Sequence, residues 1–202
     1  MPSLNQPEIP ILAFATARKW SRWLAAQPRT SKGVWLKLAK KDSGVPSVSR
    51  QQAVDAALCH GWIDGQLQKF DDKYWLIRFT PRAARSRWSE INRARAQELI
   101  DSAKMLPAGL AEIERAREDG RWEAAYPPQS KAAVPEDLQA AFDGNPAAKK
   151  FFATLDSRNR YAILHRTHHA KGLARTEKIE KFVKMLARGE TIYPLKAKAQ
   201  DR

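Results

Sequence analysis

Hydrophobic residues repeat with two different periods along this chain, and the second half keeps only one of them. Up to about residue 122, short segments that alternate with period two are interspersed with segments whose period is near 3.6. Val34, Leu36 and Leu38, for example, alternate with the residues between them, as in a half-buried strand. Beyond residue 135 only the helical period remains. The pattern therefore predicts a mixed region of strands and helices followed by an all-helical region.

Two further alternating segments, Trp62–Gln68 and Tyr74–Thr80, flank the five-residue segment Lys69–Lys73. Five residues is a common length for a hairpin loop, so these segments predict an antiparallel hairpin. With the strand at Val34 the hairpin would form a small antiparallel sheet, and a short strand is predicted at Ile11–Phe14. Because an isolated hairpin is only marginally stable, helices must cover the apolar face of this sheet.

Capping residues mark where the helices begin and end. Thr16 and Ser89 are N-cap residue types, Ser49 and Gln52 form a capping box, and Gly61 supplies a left-handed C-cap. With the apolar periodicity, such signals predict helices over residues 17–27, 49–60, 89–102, 107–120, 135–144, 146–155, 157–171 and 174–187.

The predicted fold class is α+β, with a small antiparallel sheet packed by helices and then an all-helical C-terminal region. We expect an α+β domain with the central hairpin over residues 1–122 and a Pro- and Ala-rich linker over residues 123–135. A helical region over residues 136–190 and a loose tail over residues 191–202 would follow.

The amino-acid composition gives the chain a strong positive charge. The chain has 36 basic and 22 acidic side chains, a formal net charge of +14. Such a charge is typical of proteins that contact polyanions: nucleic acid, anionic lipid headgroups or an acidic protein partner. It is also what a soluble protein from a genome rich in Arg and Ala would carry.

The single cysteine and the apolar runs bear on the cellular compartment. Cys59 excludes an internal disulfide, and its apolar helical surroundings predict a buried, inert thiol. No apolar run has the length of a membrane span, and the N-terminus lacks the pattern of a secretory signal. We therefore expect a cytoplasmic protein.

The hairpin is the first candidate site. If its strands pair antiparallel, Asp64 and Arg78 can share a face and form an ion pair. Arg78 and Arg82 beside Trp62 would then line a polar pocket able to hold an anion. The alternative is a buried Asp–Arg pair that only orients the sheet against the helices.

Two other clusters carry possible chemistry. Six arginines interleave with Trp88, as phosphate contact and base stacking require: Arg78, Arg82, Arg85, Arg87, Arg93 and Arg95. His165 stands three and four residues before His168 and His169 on a predicted helix, a spacing that can bind a divalent metal. A solvated face explains the first cluster equally well, and core packing explains the second. No metal ligand, cofactor or catalytic residue is assigned, because the known phosphate-binding, hydrolase and zinc-finger motifs are absent.

Three segments resemble a known family. They read ALCHGWIDGQ from Ala57, YWLIRFTPR from Tyr74, and SRWSEINRARAQELI from Ser86. This run is similar to the YdeI/OmpD-associated family, also called bacteriocin-protection proteins, and later helical segments extend the resemblance over roughly residues 8–190. The resemblance implies a bacterial, cytoplasmic protein linked to survival under bacteriocins or cationic antimicrobial stress.

Motif and resemblance together select eight candidate ligand-binding residues. They are Trp62, Asp64, Gln66, Arg78, Thr80, Arg82, Trp88 and Asn92. The leading hypothesis is a non-enzymatic stress-protection protein that binds a small anionic ligand or an acidic partner at this Arg/Trp-lined pocket. One alternative is an enzyme with Asp64 or His60 as general base. Another is a binder of nucleic acid or of an anionic membrane surface.

Overall fold

The computed structural model describes residues 9–195, which form eight α-helices, four β-strands and one short 3-10 helix. They divide into two compact units, one ending at Ala125 and the other beginning at Tyr126. All four strands lie in the first unit and the second is helical, so the predicted α+β class is confirmed. No helix in the described part of the chain is long and apolar enough to cross a membrane.

The sheet of the first unit is mixed. Its strands are β1 (Ile11–Ala13), β2 (Val34–Ala39), β3 (Trp62–Lys69) and β4 (Tyr74–Pro81), in the spatial order β1-β2-β4-β3. The pairs β2–β4 and β3–β4 are antiparallel, as the alternating segments predict. The short strand β1 adds a parallel edge to β2, because a helical crossover joins the two.

One face of the sheet packs against α1 (Ala17–Ala25) and α2 (Arg50–Cys59). Side chains from β2, β4 and both helices form this core: Val34, Leu36, Leu38, Ile77, Phe79, Trp20, Leu24, Ala53 and Ala57. The indole N–H of Trp20 donates to the carbonyl of Ala53 at 3.1 Å and so ties α1 to α2. The capping box of Ser49 and Gln52 is formed as predicted.

The register of the hairpin decides which side chains can meet. Asp64 pairs with Phe79, whereas Leu67 pairs with Ile77, so β3 has one residue more than β4 between these pairs. This β-bulge contains Gln66 and breaks the simple alternation. Since Phe79 faces the helices, Asp64 does too, and Arg78 points to the opposite face. The predicted Asp64–Arg78 ion pair is therefore wrong.

Two more helices complete the first unit, α3 (Glu90–Asp101) and α4 (Pro107–Glu118). They pack on the C-terminal end of α2 and form a second cluster with Leu58, Trp88, Leu99 and Ile113 among its members. The contact between α2 and α4 depends on Gly109. A Cβ there would lie 2.5 Å from the carbonyl oxygen of Leu58.

The second unit contains the short 3-10 helix (Gln129–Lys131) and four α-helices. They are α5 (Glu136–Asp143), α6 (Pro146–Thr154), α7 (Ser157–His168) and α8 (Leu173–Ala187). Their apolar faces meet in one core built of Leu138, Phe142, Ala148, Phe152, Leu155, Ile163, Leu164, Ile179, Phe182 and Leu186. Ala132 and Val134, expected in the linker, pack against it.

The segment expected to be a loose tail is described only as far as Leu195, and residues 196–202 lie outside the described part. Its first residues are held against α7. The fully buried amide of Asn159 accepts a hydrogen bond from the Tyr193 N–H at 2.9 Å and donates to the Tyr193 carbonyl at 3.1 Å. Thr191 donates to the same carbonyl, so the loose-tail prediction is wrong for this part.

Candidate functional site

The eight residues predicted around the hairpin do not line one pocket. Trp62 is buried in the core between sheet and helices, where its ring meets that of Trp23. Gln66 is exposed at the β-bulge. Arg78 and Thr80 lie on the face of the sheet that α1 and α2 leave uncovered, and the Arg78 guanidinium donates to the Lys32 carbonyl at 3.3 Å.

Asp64 and Asn92 do come together. The Asn92 amide donates to an Asp64 carboxylate oxygen at 3.4 Å, and Arg50 lies 3.9 Å from the other oxygen. Ser89 caps α3 by accepting the backbone N–H of Asn92. Asp64 therefore contacts the first turns of α2 and α3 through Arg50 and Asn92, and not through the Asp64–Arg78 pair that the sequence suggested.

Arg82 and Trp88 are both buried and in contact. The guanidinium carbon of Arg82 lies 3.5 Å from the centre of the Trp88 ring, and the guanidinium donates to the Arg87 carbonyl at 3.2 Å. The Trp122 ring meets Trp88 edge-on at 4.8 Å. A guanidinium only 3% exposed and stacked on an indole serves the packing of this loop.

The wider arginine cluster is also divided among separate interactions. Arg95 forms a two-pronged ion pair with Asp55, and Arg93 donates to the Trp122 carbonyl. Burial raises the pKa of Asp55, but hydrogen bonds from Arg95 and Gln51 outweigh it and hold the pKa below its usual value. These arginines do not form a single stacking surface.

A serine and a histidine meet beside α2. The Ser21 hydroxyl lies 2.8 Å from Nε2 of His60, the C-cap of α2. Burial lowers the pKa of His60, so its imidazole is neutral near pH 7. Ser21 also lines an open cleft of about 340 Å³ with Arg18 and other residues of α1, α2 and α3, and with Lys104, which follows α3. Cys59 is buried, as predicted, and burial raises the pKa of its thiol.

The second unit contains a cleft of about 270 Å³ beside α7, which we call the α7 cleft. It is lined by Gln129, Arg158, Tyr161, Ala162, His165, Arg166 and Tyr193. Two guanidinium groups and a histidine face it, and no acidic residue of the described chain lines it. Its volume is near the lower end of the range for small-ligand sites.

Tyr193 contacts both arginines of the α7 cleft. The guanidinium carbon of Arg158 lies 4.0 Å from the centre of its ring, and that of Arg166 lies 5.8 Å away. Arg166 also donates to the Tyr193 hydroxyl at 3.4 Å. Because Asn159 fixes the Tyr193 backbone, Arg158 packs on a positioned ring and Arg166 binds its hydroxyl, while both arginine side chains stay exposed.

Three histidines, His165, His168 and His169, lie at the C-terminal end of α7. Nε2 of His165 lies 3.0 Å from Nε2 of His169, and the Tyr126 ring meets both imidazoles edge-on. The ring of His168 lies 5.1 Å from that of His169. Within residues 9–195, no three His, Cys, Asp or Glu residues are arranged to hold a metal together.

The α7 cleft does not coincide with the site that the sequence patterns predict. Arg158, Ala162, His165 and Arg166 share a helical face, a spacing that a search for basic faces would detect. Tyr193 gives no such signal, because it comes from a segment without periodicity.

Two family models match the chain. Residues 12–112 match a domain of unknown function (DUF8412), and residues 131–189 match the family described as Bacteriocin-protection, YdeI or OmpD-Associated. The second match confirms the family expected from the sequence, but over the C-terminal part alone. The hairpin motifs lie within the first match instead. No curated protein and no solved structure matches the chain.

Proposed function

We propose that this chain, which belongs to a family of domains of unknown function (DUF8412), is a non-enzymatic protection-type protein that binds a small anionic ligand. Its C-terminal part matches the family described as Bacteriocin-protection, YdeI or OmpD-Associated. The ligand site is the α7 cleft. The observation that carries the proposal is the placement of Arg158 and Arg166 against Tyr193 in a cleft without acidic lining.

The chemistry of the α7 cleft favours a phosphate or carboxylate group. A guanidinium presents several N–H donors in a plane and can bind two oxygens of such a group at once. Arg158 stacks on the Tyr193 ring and Arg166 donates to its hydroxyl. Both contacts limit the conformations of the arginines, so less conformational entropy is lost when they bind. His165 and Tyr161 add further polar groups at the same wall.

The α7 cleft supports anion binding better than the hairpin does. Arg82 is buried on Trp88, and Arg78 lies on the other face of the sheet from Asp64. The guanidiniums of Arg158 and Arg166 are instead exposed to solvent and stand beside an open volume. The ligand class expected from the sequence is therefore kept, and its proposed site moves from the hairpin to the C-terminal part, within the match to the bacteriocin-protection family.

Calorimetric titration of the full chain with pyrophosphate, at low and high salt, tests the site. We expect binding that persists at high salt and weakens about tenfold or more in Arg158→Gln and in Arg166→Gln, since each loses a charge-assisted hydrogen bond. Arg160→Gln is the matched control, because Arg160 lies on the same helix with its guanidinium over Phe152.

Three outcomes would contradict the proposal. One is the absence of any binding, and another is equal weakening in all three variants. The third is binding of nucleic-acid polymers alone that disappears at high salt, which would indicate the net positive charge and a non-specific surface instead. Expression of the protein and of Arg158→Gln in a bacteriocin-sensitive strain would link the site to protection through the surviving fraction of cells.

The contact between Ser21 and His60 favours a second candidate function, an enzyme with His60 as general base. A neutral imidazole 2.8 Å from a hydroxyl has the geometry of a base that activates a nucleophile. Asp64, the other base suggested by the sequence, is hydrogen-bonded to Asn92 and lines neither the cleft beside Ser21 nor the α7 cleft.

A serine-directed fluorophosphonate probe tests this candidate. We expect labelling of Ser21 that is lost in Ser21→Ala and strongly slowed in His60→Gln, with Ser31→Ala as control. If the wild-type chain is not labelled, or the label is found on other serines, Ser21 and His60 form only a hydrogen bond between helices.

A further inference from the structure

Two histidines near the end of α7 have their ring nitrogens directed at each other. His165 and His169 are four residues apart, and their Nε2 atoms are separated by 3.0 Å. The ring centroids lie 4.2 Å apart with the planes at 82°. The Tyr126 ring packs edge-on against both imidazoles at 4.9 and 5.1 Å, so the pair is held between a helix and an aromatic wall.

This separation suits a shared metal ion. Two imidazole nitrogens bound to one tetrahedral zinc ion at about 2.0–2.1 Å stand roughly 3.3 Å apart, so the rings need to move by only a few tenths of an ångström. In the hydrogen-bonded pair one Nε2 carries the proton and the other accepts it. For both to bind a metal, the donor ring must take the tautomer with its proton on Nδ1, and no net proton has to leave.

We propose that His165 and His169 chelate one divalent transition-metal ion through their Nε2 atoms. Imidazole ligands favour Cu²⁺, Zn²⁺ and Ni²⁺ over Mg²⁺ and Ca²⁺, and affinity should be greatest for Cu²⁺. Since no third His, Cys, Asp or Glu of the described chain completes the set, water occupies the remaining coordination positions. The bound ion is therefore open to exchange and to an additional ligand.

The neighbouring histidine supplies a control within the same helix. His168 is exposed, and its ring centroid lies 5.1 Å from that of His169, whereas the close contact between ring nitrogens joins His165 and His169. Residues three and four apart share a helical face, but the packing against Tyr126 selects the pair four apart. Removal of His168 should leave the chelate intact.

The test is a titration of the full chain, without a histidine tag, with Cu²⁺. Calorimetry gives the affinity and stoichiometry, and electron paramagnetic resonance gives the number of nitrogen ligands. We expect one Cu²⁺ per chain with two nitrogen ligands in the spectrum. His165→Ala and His169→Ala should each weaken binding at least tenfold, and His168→Ala should not. Circular dichroism checks that each variant is folded, and His165→Asn and His169→Asn replace any variant that is not.

The results separate this proposal from the anion site. Arg158→Gln and Arg166→Gln should retain Cu²⁺ binding, because neither arginine supplies a ligand. Absence of stoichiometric binding, a spectrum with a single nitrogen ligand, or equal losses in His168→Ala and His165→Ala would overturn the two-histidine site. Loss of pyrophosphate binding alone would not affect it.

Discussion

Single side chains in this protein take roles that their residue types do not reveal. Arg82 and Arg85 stand three residues apart in the same basic loop, yet the first is buried on Trp88 and the second is exposed. A guanidinium that stacks on an indole contributes dispersion and cation–π attraction in addition to its charge. Burial of each side chain therefore distinguishes a packing arginine from one available to a ligand.

Replacement of Arg82 should show this difference. We expect Arg82→Ala to reduce the free energy of unfolding by about 2–4 kcal/mol, since a buried stack and a charge-assisted hydrogen bond are lost. Chemical denaturation followed by tryptophan fluorescence measures the change. Arg85→Ala is the control and should be near neutral. Equal stability of the two variants would mean that the Arg82 stack contributes nothing.

The burial of His60 predicts that the stability of the protein depends on pH. Burial lowers its pKa from the usual 6.5, so the unfolded chain takes up a proton that the folded chain resists. Stability should therefore fall as the pH drops from 7 through the usual pKa towards the lowered one. The other three histidines lie beyond Tyr126, so His60 is the histidine whose titration tryptophan fluorescence would report if the first unit unfolds by itself. A His60→Gln variant with the same pH slope would contradict it.

At the scale of elements, close approach of helices decides the packing of the first unit. α4 lies so near the end of α2 that a Cβ on Gly109 would come within 2.5 Å of the Leu58 carbonyl oxygen and 2.7 Å of that of Cys59. Backbone atoms cannot move aside as a flexible side chain does. Gly109 lies inside the regular helix α4, so its own backbone conformation does not require glycine. The close approach of α2 requires it instead.

Gly109→Ala should accordingly destabilise the first unit by about 1–3 kcal/mol, although alanine is the better helix former. Thermal unfolding followed by tryptophan fluorescence measures this. Gly65→Ala is the matched control, because a Cβ there meets its nearest atom at 3.8 Å. A Gly109→Ala protein as stable as wild type would show that α4 can shift without cost.

At the scale of the whole molecule, the two units have separate cores and separate spectroscopic signals. All seven tryptophans lie at or before residue 122, in the first unit, whereas the core around Phe142 belongs to the second. Tryptophan fluorescence thus reports one unit, and far-ultraviolet circular dichroism reports both.

Truncation of Phe142 tests whether the units unfold independently. Phe142→Ala should cost the second unit about 3–5 kcal/mol through the lost burial and the cavity. We expect an earlier transition by circular dichroism and an unchanged tryptophan transition. If both transitions move together, the units unfold as one.

Most of the secondary structure and the α+β fold class follow from local sequence patterns, because capping and hydrophobic periodicity are local properties of the chain. Capping residues such as Ser49 and the helical apolar faces mark the ends and buried sides of helices, and alternation marks β2 and β4. The grouping of side chains in the α7 cleft depends instead on tertiary contacts. The register of β3 separates Asp64 from Arg78, and Asn159 brings Tyr193 to Arg158 across 34 residues of chain. Contacts between distant segments depend on packing in three dimensions, which no local pattern encodes.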